Sequence, residues 1–404
     1  MKTAIYTLTS ELHDEQAVNA VTKEFLGGLG IAYDMKGNDY ADYGSSPLSL
    51  IYVRTGGTEG IFRRLLPMLQ QKSNRPFYLL TSDKSNSLAA SMEILSYLRQ
   101  HNIKGEIIHG STSYVAQRIH MLERVEGARR TLASTRLGII GEPSDWLISS
   151  HADKDVVKNR LGISLIDIPM QQLLDTIAKR NTPATTDVMT GAERIYEALK
   201  DIIAEYQLQG FTLRCFDLLT SVRNTGCLAL ARLNAEGYVA GCEGDVPAML
   251  TMMIARSLFG ISGFQANPSR INPETGEMLF AHCTIPLDMV ERYEYDTHFE
   301  SGIGVAIRGF MKEGPVTIFK VSADLSRHFI AEGHLVENQS KPDLCRTQQV
   351  IRLADKHQTA YFLTNPIGNH HIILPGHQKE LLEDVFISQT PFDRLQYSIP
   401  FASD

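Results

Sequence analysis

The chain has few cysteines, and none stands where a bridge or a metal knuckle would need it. The five, Cys215, Cys227, Cys242, Cys283 and Cys345, are odd in number, widely spaced and never in a C-x-x-C pair. Neither a disulfide framework nor a zinc knuckle is indicated, and reduced, mostly buried thiols are expected. Cys242 and Cys283 adjoin Glu243 and His282, but neighbours on a strand point to opposite faces, so both should pack behind whatever those residues form. Positive charge is not in excess either. A formal net charge of −7, with no basic stripe interleaved with aromatics, lacks the electrostatic footprint of a nucleic-acid binder. Long apolar runs are missing too: none approaches the roughly 20 residues that cross a bilayer. The start, Met1-Lys-Thr-Ala-Ile-Tyr, enters a strand without the apolar segment and cleavage site of a signal peptide. No nucleic acid, no membrane and a cytoplasmic location are the expectations.

What is present is a globular composition, with 43% apolar and 21% charged residues over 404 positions. That length predicts two or three domains of roughly 100–150 residues. In the first, strands Ala4–Leu8, Pro47–Val53, Pro76–Thr81 and Gly105–His109 alternate with helices Leu12–Leu29, Ile61–Gln71 and Ser87–His101, the pattern of a parallel sheet with helices on both faces. The glycine-rich turn Thr55–Gly60 follows a strand and opens a helix, without G-x-G-x-x-G or the ending of a phosphate loop. A structural strand-to-helix turn is the commoner meaning and a phosphate cradle the alternative, with a grip on substrate hydroxyls if the turn faces the active site of a neighbouring subunit or domain.

A second alternating unit starts at Thr135–Gly141 and continues through Leu165–Ile168, the helices Met170–Ala178 and Gly191–Tyr206 joined by a linker at residues 181–186, a strand Gly210–Asp217, a helix Thr225–Glu236 and the strand Tyr238–Cys242. The polar turn Glu142-Pro-Ser-Asp145-Trp146 stands at a strand's carboxyl end, the usual mouth of such a sheet, and holds the only tryptophan. Trp146 beside Glu142 and Asp217 suits stacking on a sugar, although a lone tryptophan more often caps a core. After about Gly260, short alternating strands separated by turn signals predict a β-rich domain, with Pro315–Ser322, Arg327–Gly333 and Thr359–Thr364 as strands and a helix Gln378–Phe386. The predicted fold class is therefore α/β: two doubly wound, Rossmann-like parallel-sheet domains, 1–131 and 132–262, followed by a β-rich C-terminal domain, 263–404.

Three consecutive elements end on residues that bind metals or move protons. Gly237-Tyr-Val-Ala-Gly-Cys-Glu243-Gly-Asp245 precedes a helical run Pro247–Leu258, Phe264-Gln-Ala-Asn267-Pro ends a strand, and Met278-Leu-Phe-Ala-His282 ends another. Gly368-Asn-His370-His371 adds two imidazoles from far along the chain. An oxygen-rich set with one or two imidazoles suits Mn²⁺ or Mg²⁺. For any one of these residues alone, a hydrogen-bonded core histidine or a solvated glutamate is the commoner case.

Taken together, these motifs resemble the L-fucose isomerase and L-arabinose isomerase superfamily. Gly241-Cys-Glu243-Gly-Asp245 is similar to the segment presenting a metal-binding, acid/base glutamate, and Phe264–Pro268 to the next strand, where the family has a carboxylate. Phe280-Ala-His282-Cys resembles the strand with an additional histidine, and Gly368–His371 through Gly376-His377 the C-terminal metal-histidine loop. The resemblance implies a metal-dependent aldose–ketose sugar isomerase passing through a cis-enediol, with Mn²⁺ or Mg²⁺, a sugar substrate and a homo-oligomer, trimer or hexamer. Glu243 is then ligand and base, His370 or His371 a ligand, and His282 a ligand or a donor orienting one. Asn267 departs from the pattern: it coordinates through its amide oxygen but accepts no proton, and it removes a negative charge, which weakens the metal. Either Asp245 or another carboxylate takes over as acid/base, or the reaction is another metal–enolate one, an epimerase or lyase, or the chain is a non-catalytic carbohydrate-binding paralogue.

Overall fold

The computed structural model describes residues 2–180, 187–387 and 393–394; the expected linker at 181–186 lies outside them. The chain forms two compact units. The first ends at Gly127 and takes in the chain again from Asp384, and the second runs from Ala128 to Glu383.

In the first unit, β1 (Thr3–Leu8), α1 (Glu15–Leu29), β2 (Tyr33–Gly37), β3 (Ser49–Val53), α2 (Glu59–Lys72), β4 (Phe77–Leu80), α3 (Ser87–Gln100), β5 (Gly105–Ile108) and the part of α4 (Thr112–Ala133) up to Gly127 follow one another. The five strands form a parallel sheet in the order β2-β1-β3-β4-β5. Alternate side chains go to different clusters, as the two-residue period requires. Tyr6, Leu8, Ile51 and Val53 pack with Phe62 and Leu66 of α2 and Ile94 and Leu98 of α3. Ile5, Leu50 and Tyr52 pack with Leu26 and Leu29 of α1 and Val115 and Ile119 of α4. A strand buried on both sides reads as a continuous apolar run, which made β1, β3 and β4 visible in the sequence. The edge strand β2, Tyr33-Asp-Met-Lys-Gly, has no such run. In the Thr55–Gly60 turn, Thr55 Oγ1 accepts from the Ser10 N–H at 3.0 Å, and the Gly56 N–H donates to the Ser85 carbonyl at 2.7 Å.

The second unit opens with β6 (Arg136–Ile140), α5 (Lys154–Leu161), β7 (Ser164–Ile168), α6 (Met170–Lys179), α7 (Val188–Tyr206), β8 (Gly210–Leu213), α8 (Asp217–Ser221), α9 (Cys227–Ala235), β9 (Val239–Cys242) and α10 (Val246–Phe259). Its parallel sheet has the order β7-β6-β8-β9. The strand expected through Asp217 ends at Leu213; Asp217 instead begins α8, its carboxylate accepting from Arg214 Nε at 3.1 Å. The short helix follows from that local pairing, which competes with an extended chain.

The chain continues with β10 (Phe264–Asn272), β11 (Glu277–His282), β12 (Arg292–Asp296), β13 (Ala306–Phe310), β14 (Gly314–Val321), β15 (Arg327–Gln339), β16 (Thr347–Leu353), α11 (Thr359–Thr364), β17 (His371–Pro375) and α12 (Lys379–Ile387). Antiparallel pairing runs β14-β17-β10-β11-β16-β15 and back to β14, closing a barrel. Closure leaves these strands no free edge. Phe264, Ala266, Met278, Phe280, Val316 and Ile318 belong to one cluster within it. The expected strand Thr359–Thr364 is the helix α11, with Tyr361 stacked on Phe329 at 3.7 Å. Its β-branched and aromatic composition mimics a strand, and six residues are too few to display a helical period.

Helix α10 is buried nearly all round, from Val246 to Ala255 and again at Leu258. It contacts β8 and β9 of the parallel sheet and β14 and β17 of the barrel, so it is the core element shared by both layers. Ile318 is fully buried in the barrel cluster. Ile318→Ala should destabilise the second unit by about 2–5 kcal/mol, read as a lower urea midpoint at an unchanged slope.

Candidate functional site

Three elements of the second unit deliver Glu243, His282 and His370 to one point. Glu243 follows β9 directly, with a left-handed backbone at φ 64°. Gly244 repeats that conformation at φ 73°, and a Cβ there would lie 2.6 Å from the Glu142 carbonyl oxygen. Only glycine tolerates both the conformation and the close approach. The turn is tied down by the Ser144 N–H donating to the Glu243 carbonyl and the Gly244 N–H donating to the Leu213 carbonyl, each at 3.0 Å. Two residues on, Asp245 caps α10 by accepting from the Ala248 N–H at 2.8 Å.

His282 closes β11, and His370 directly precedes β17. Potential ligand atoms of Glu243, His282 and His370 all lie within 4.8 Å of one another. Both imidazole Nε2 atoms stand 3.5 Å from Glu243 Oε1. The other atoms of these groups are engaged elsewhere: Glu243 Oε2 accepts from Trp146 Nε1–H at 2.8 Å, His282 Nδ1 pairs with Thr284 Oγ1 at 3.1 Å, and His370 Nδ1 pairs with Asp245 Oδ2 at 2.8 Å. His370 Nε2 is buried and makes no hydrogen bond among the described residues. The carboxylate–imidazole pairing fixes the ring with Nε2 turned to the shared point.

Burial would raise the Glu243 carboxyl, but the imidazoles of His370 and His282 hold it well below the usual range. Burial likewise opposes ionisation of Asp245, and Lys320 and His370 more than offset it, so it too is lowered. His370 is pulled down by burial but pushed up, to about 9, by Glu243 and Asp245.

The other expected residues have different surroundings. His371 points away from the trio: its Nε2 pairs with Tyr361 Oη and its Nδ1 with the Asn369 carbonyl, each at 3.0 Å. Asn267 lies on β10 with its amide oxygen accepting from Asn369 Nδ2 at 3.1 Å. Glu142 and Asp217, with Asp145 and Arg214, line an open cavity of about 920 Å³ beside the carboxyl ends of β6 and β7. Trp146 is 52% exposed with its indole N–H on Glu243, and its ring meets Phe216 edge-on at 4.8 Å. The cysteines are free thiols, with Cys242 paired to Cys215 at 3.1 Å between sulfurs.

Sequence reasoning left out Thr284, Gln265 and Lys320. Gln265 clamps β9 from β10, accepting from the Cys242 N–H at 2.9 Å and donating to its carbonyl at 3.2 Å. Lys320 pairs with Asp245 Oδ1 at 3.7 Å. Its signal was legible: a lysine within the apolar alternation Val316-Thr-Ile-Phe-Lys-Val.

This chain is similar to three curated proteins named sulfoquinovose isomerase. Those of Priestia aryabhattai and Priestia megaterium (strain ATCC 12872 / QMB1551) are each 22% identical over 262 residues, covering 59% of this chain and 59% of theirs. That of Clostridium sp. (strain MSTE9) is 22% identical over 224 residues, 51% of this chain and 49% of its own. The chain thus spans less than two thirds of these relatives' length. No family model matches it. No helix among the described residues is long and apolar enough to cross a membrane.

The pH dependence of the metal-free protein follows from His370. Its pKa is raised from 6.5 to about 9, so its stabilisation is complete below pH 6.5 and lost as the pH rises through 9, a loss of up to about 3 kcal/mol. Asp245 and Glu243, both lowered, act oppositely and give up their contribution in acid. Urea midpoints in chelator should fall between pH 6.5 and 9.5, and His370→Gln should flatten that fall. Gly244→Ala should cost over about 2 kcal/mol through strain and collision, measured by the same unfolding.

Proposed function

We propose that the chain is an aldose–ketose sugar isomerase of the fucose/arabinose isomerase-like kind, with Glu243, His282 and His370 holding a divalent cation. The observation that carries this is the convergence of one carboxylate oxygen and two imidazole nitrogens, with the buried His370 Nε2 left without a hydrogen bond among the described residues. The likeness to sulfoquinovose isomerases supports the reaction class. Two nitrogens and one oxygen suit Mn²⁺ and its later neighbours in the first row better than Mg²⁺. Bound there, such a cation would polarise the carbonyl and α-hydroxyl oxygens of an open-chain sugar.

The chain's own residues do the rest. Glu243 takes the proton from C2 and returns it to C1 while a hydroxyl proton passes from O2 to O1, so the sugar goes through a cis-enediol. Trp146 fixes the carboxylate by its indole N–H and offers its exposed face to the sugar. Asp245 is fully buried and engaged by His370, Ala248 and Lys320, so its role is to orient His370. His371 serves the barrel core. By the same resemblance the protein works as a homo-oligomer.

Asn267 favours a second possibility, a metal–enolate enzyme acting on a different sugar derivative, because its amide accepts no proton.

Trp146, the only tryptophan, gives a direct readout. Mn²⁺, which is paramagnetic, should quench its fluorescence, and Glu243→Gln should weaken binding at least tenfold; equal binding by both proteins defeats the metal assignment. Incubation with aldoses, including one sulfonated at C6, in D₂O should yield the ketose with deuterium at C1. Metal binding without isomerisation of any aldose would favour the second possibility.

A further inference from the structure

Strand β14 carries a lysine where the barrel calls for an apolar residue. Val316 and Ile318 belong to the barrel cluster, and the two-residue period places Lys320 on the same face. Its side chain is 1% exposed and its Nζ makes no hydrogen bond among the described residues. The ammonium stands 3.7 Å from Asp245 Oδ1. A Cβ placed on Gly368 would come within 4.0 Å of it, which puts Lys320 beneath the loop that carries His370.

Stability is a weak reason for such a group. A buried ion pair seldom repays its desolvation, and an apolar side chain of similar volume is often as stable or more so. Burial in fact pushes the amine down, against the opposing pull of Asp245. The geometry offers a better reason. Asp245 has two oxygens: Oδ2 meets His370 Nδ1 at 2.8 Å, while Oδ1 meets the Ala248 N–H at 2.8 Å and Lys320 at 3.7 Å. The carboxylate is therefore held from two sides on one oxygen and aims the other at the imidazole.

We propose that Lys320 is a positioning residue for the cation centre, a buried counter-charge that locks the Asp245 carboxylate in the orientation that presents His370 Nε2. This rests on the metal assignment above. The line of action is Lys320 to Asp245 to His370, drawn from β14, the start of α10 and the segment before β17.

The test is Mn²⁺ titration followed by Trp146 fluorescence at pH 7.5, on the wild type, Lys320→Met, Asp245→Asn and the double variant. Lys320→Met should bind Mn²⁺ roughly tenfold more weakly, as loss of an orienting partner does, and its quenching at saturation should match the wild type. If Lys320→Met does not fold, the double variant, which buries no unpaired charge, should fold and bind as Asp245→Asn does, because Lys320 acts through Asp245; a double variant that binds more weakly than Asp245→Asn overturns the proposal. Wild-type affinity in whichever of the two folds overturns the proposal, even if its melting temperature is lowered. A wild type that binds no Mn²⁺ overturns the metal assignment first and this inference with it, whereas a binding wild type beside an equally tight Lys320→Met overturns this inference alone.

Discussion

The hydrogen bond between the buried Asp245 carboxylate and His370 Nδ1 is the constraint on which the centre depends. Both side chains are fully buried, so neither can be left to water for its partners, and each limits the other. Asp245 is at once the cap of α10 and the partner of His370. The helix cannot shift without moving the imidazole, and the imidazole cannot turn without leaving a buried carboxylate unpaired. Since α10 also packs on β8, β9, β14 and β17, this bond couples the parallel sheet to the barrel at the point where the three candidate ligands meet.

The turn at Glu243 and Gly244 supplies the other half. Two successive left-handed residues reverse the chain within the space between a strand end and a helix start, so that Glu243 and Asp245 face the same centre despite being only two residues apart. A β-strand would have done this by alternation alone, but β9 stops at Cys242. The strain of a left-handed glutamate, about 1 kcal/mol or more, persists where surrounding contacts over-determine it. Here these are the hydrogen bonds from the Ser144 N–H to the Glu243 carbonyl and from the Gly244 N–H to the Leu213 carbonyl, and the indole N–H of Trp146 on the carboxylate itself.

Much of this was legible in the sequence, and the rest was hidden for identifiable reasons. The parallel strands announced themselves by apolar runs, and Glu243, His282 and the His370/His371 pair stood out because each ends or precedes a strand. The choice between His370 and His371 could not be made from residue type. It depends on which side of β17 each faces, and pairing of His371 with Ala266 turns its ring to Tyr361 instead of the trio. Asp217 appeared to extend a strand because its local bond to Arg214 has no sequence period. Trp146 was weighed as a plate for sugar against the commoner cap on a core, and its N–H donation to Glu243 joins residues 97 positions apart, a contact no local pattern encodes.

Charge beside the trio is sparse and partly cancelled. Next to its one carboxylate, Glu243, stands the buried pair of Asp245 and Lys320, whose opposite charges offset each other, so that with neutral imidazoles the formal charge of these groups is −1. Lys320 thus trims the negative charge that Asp245 brings to the far side of the His370 ring. Such an arrangement is one in which geometry, held by Asp245 and the Gly244 turn, has to supply what charge does not.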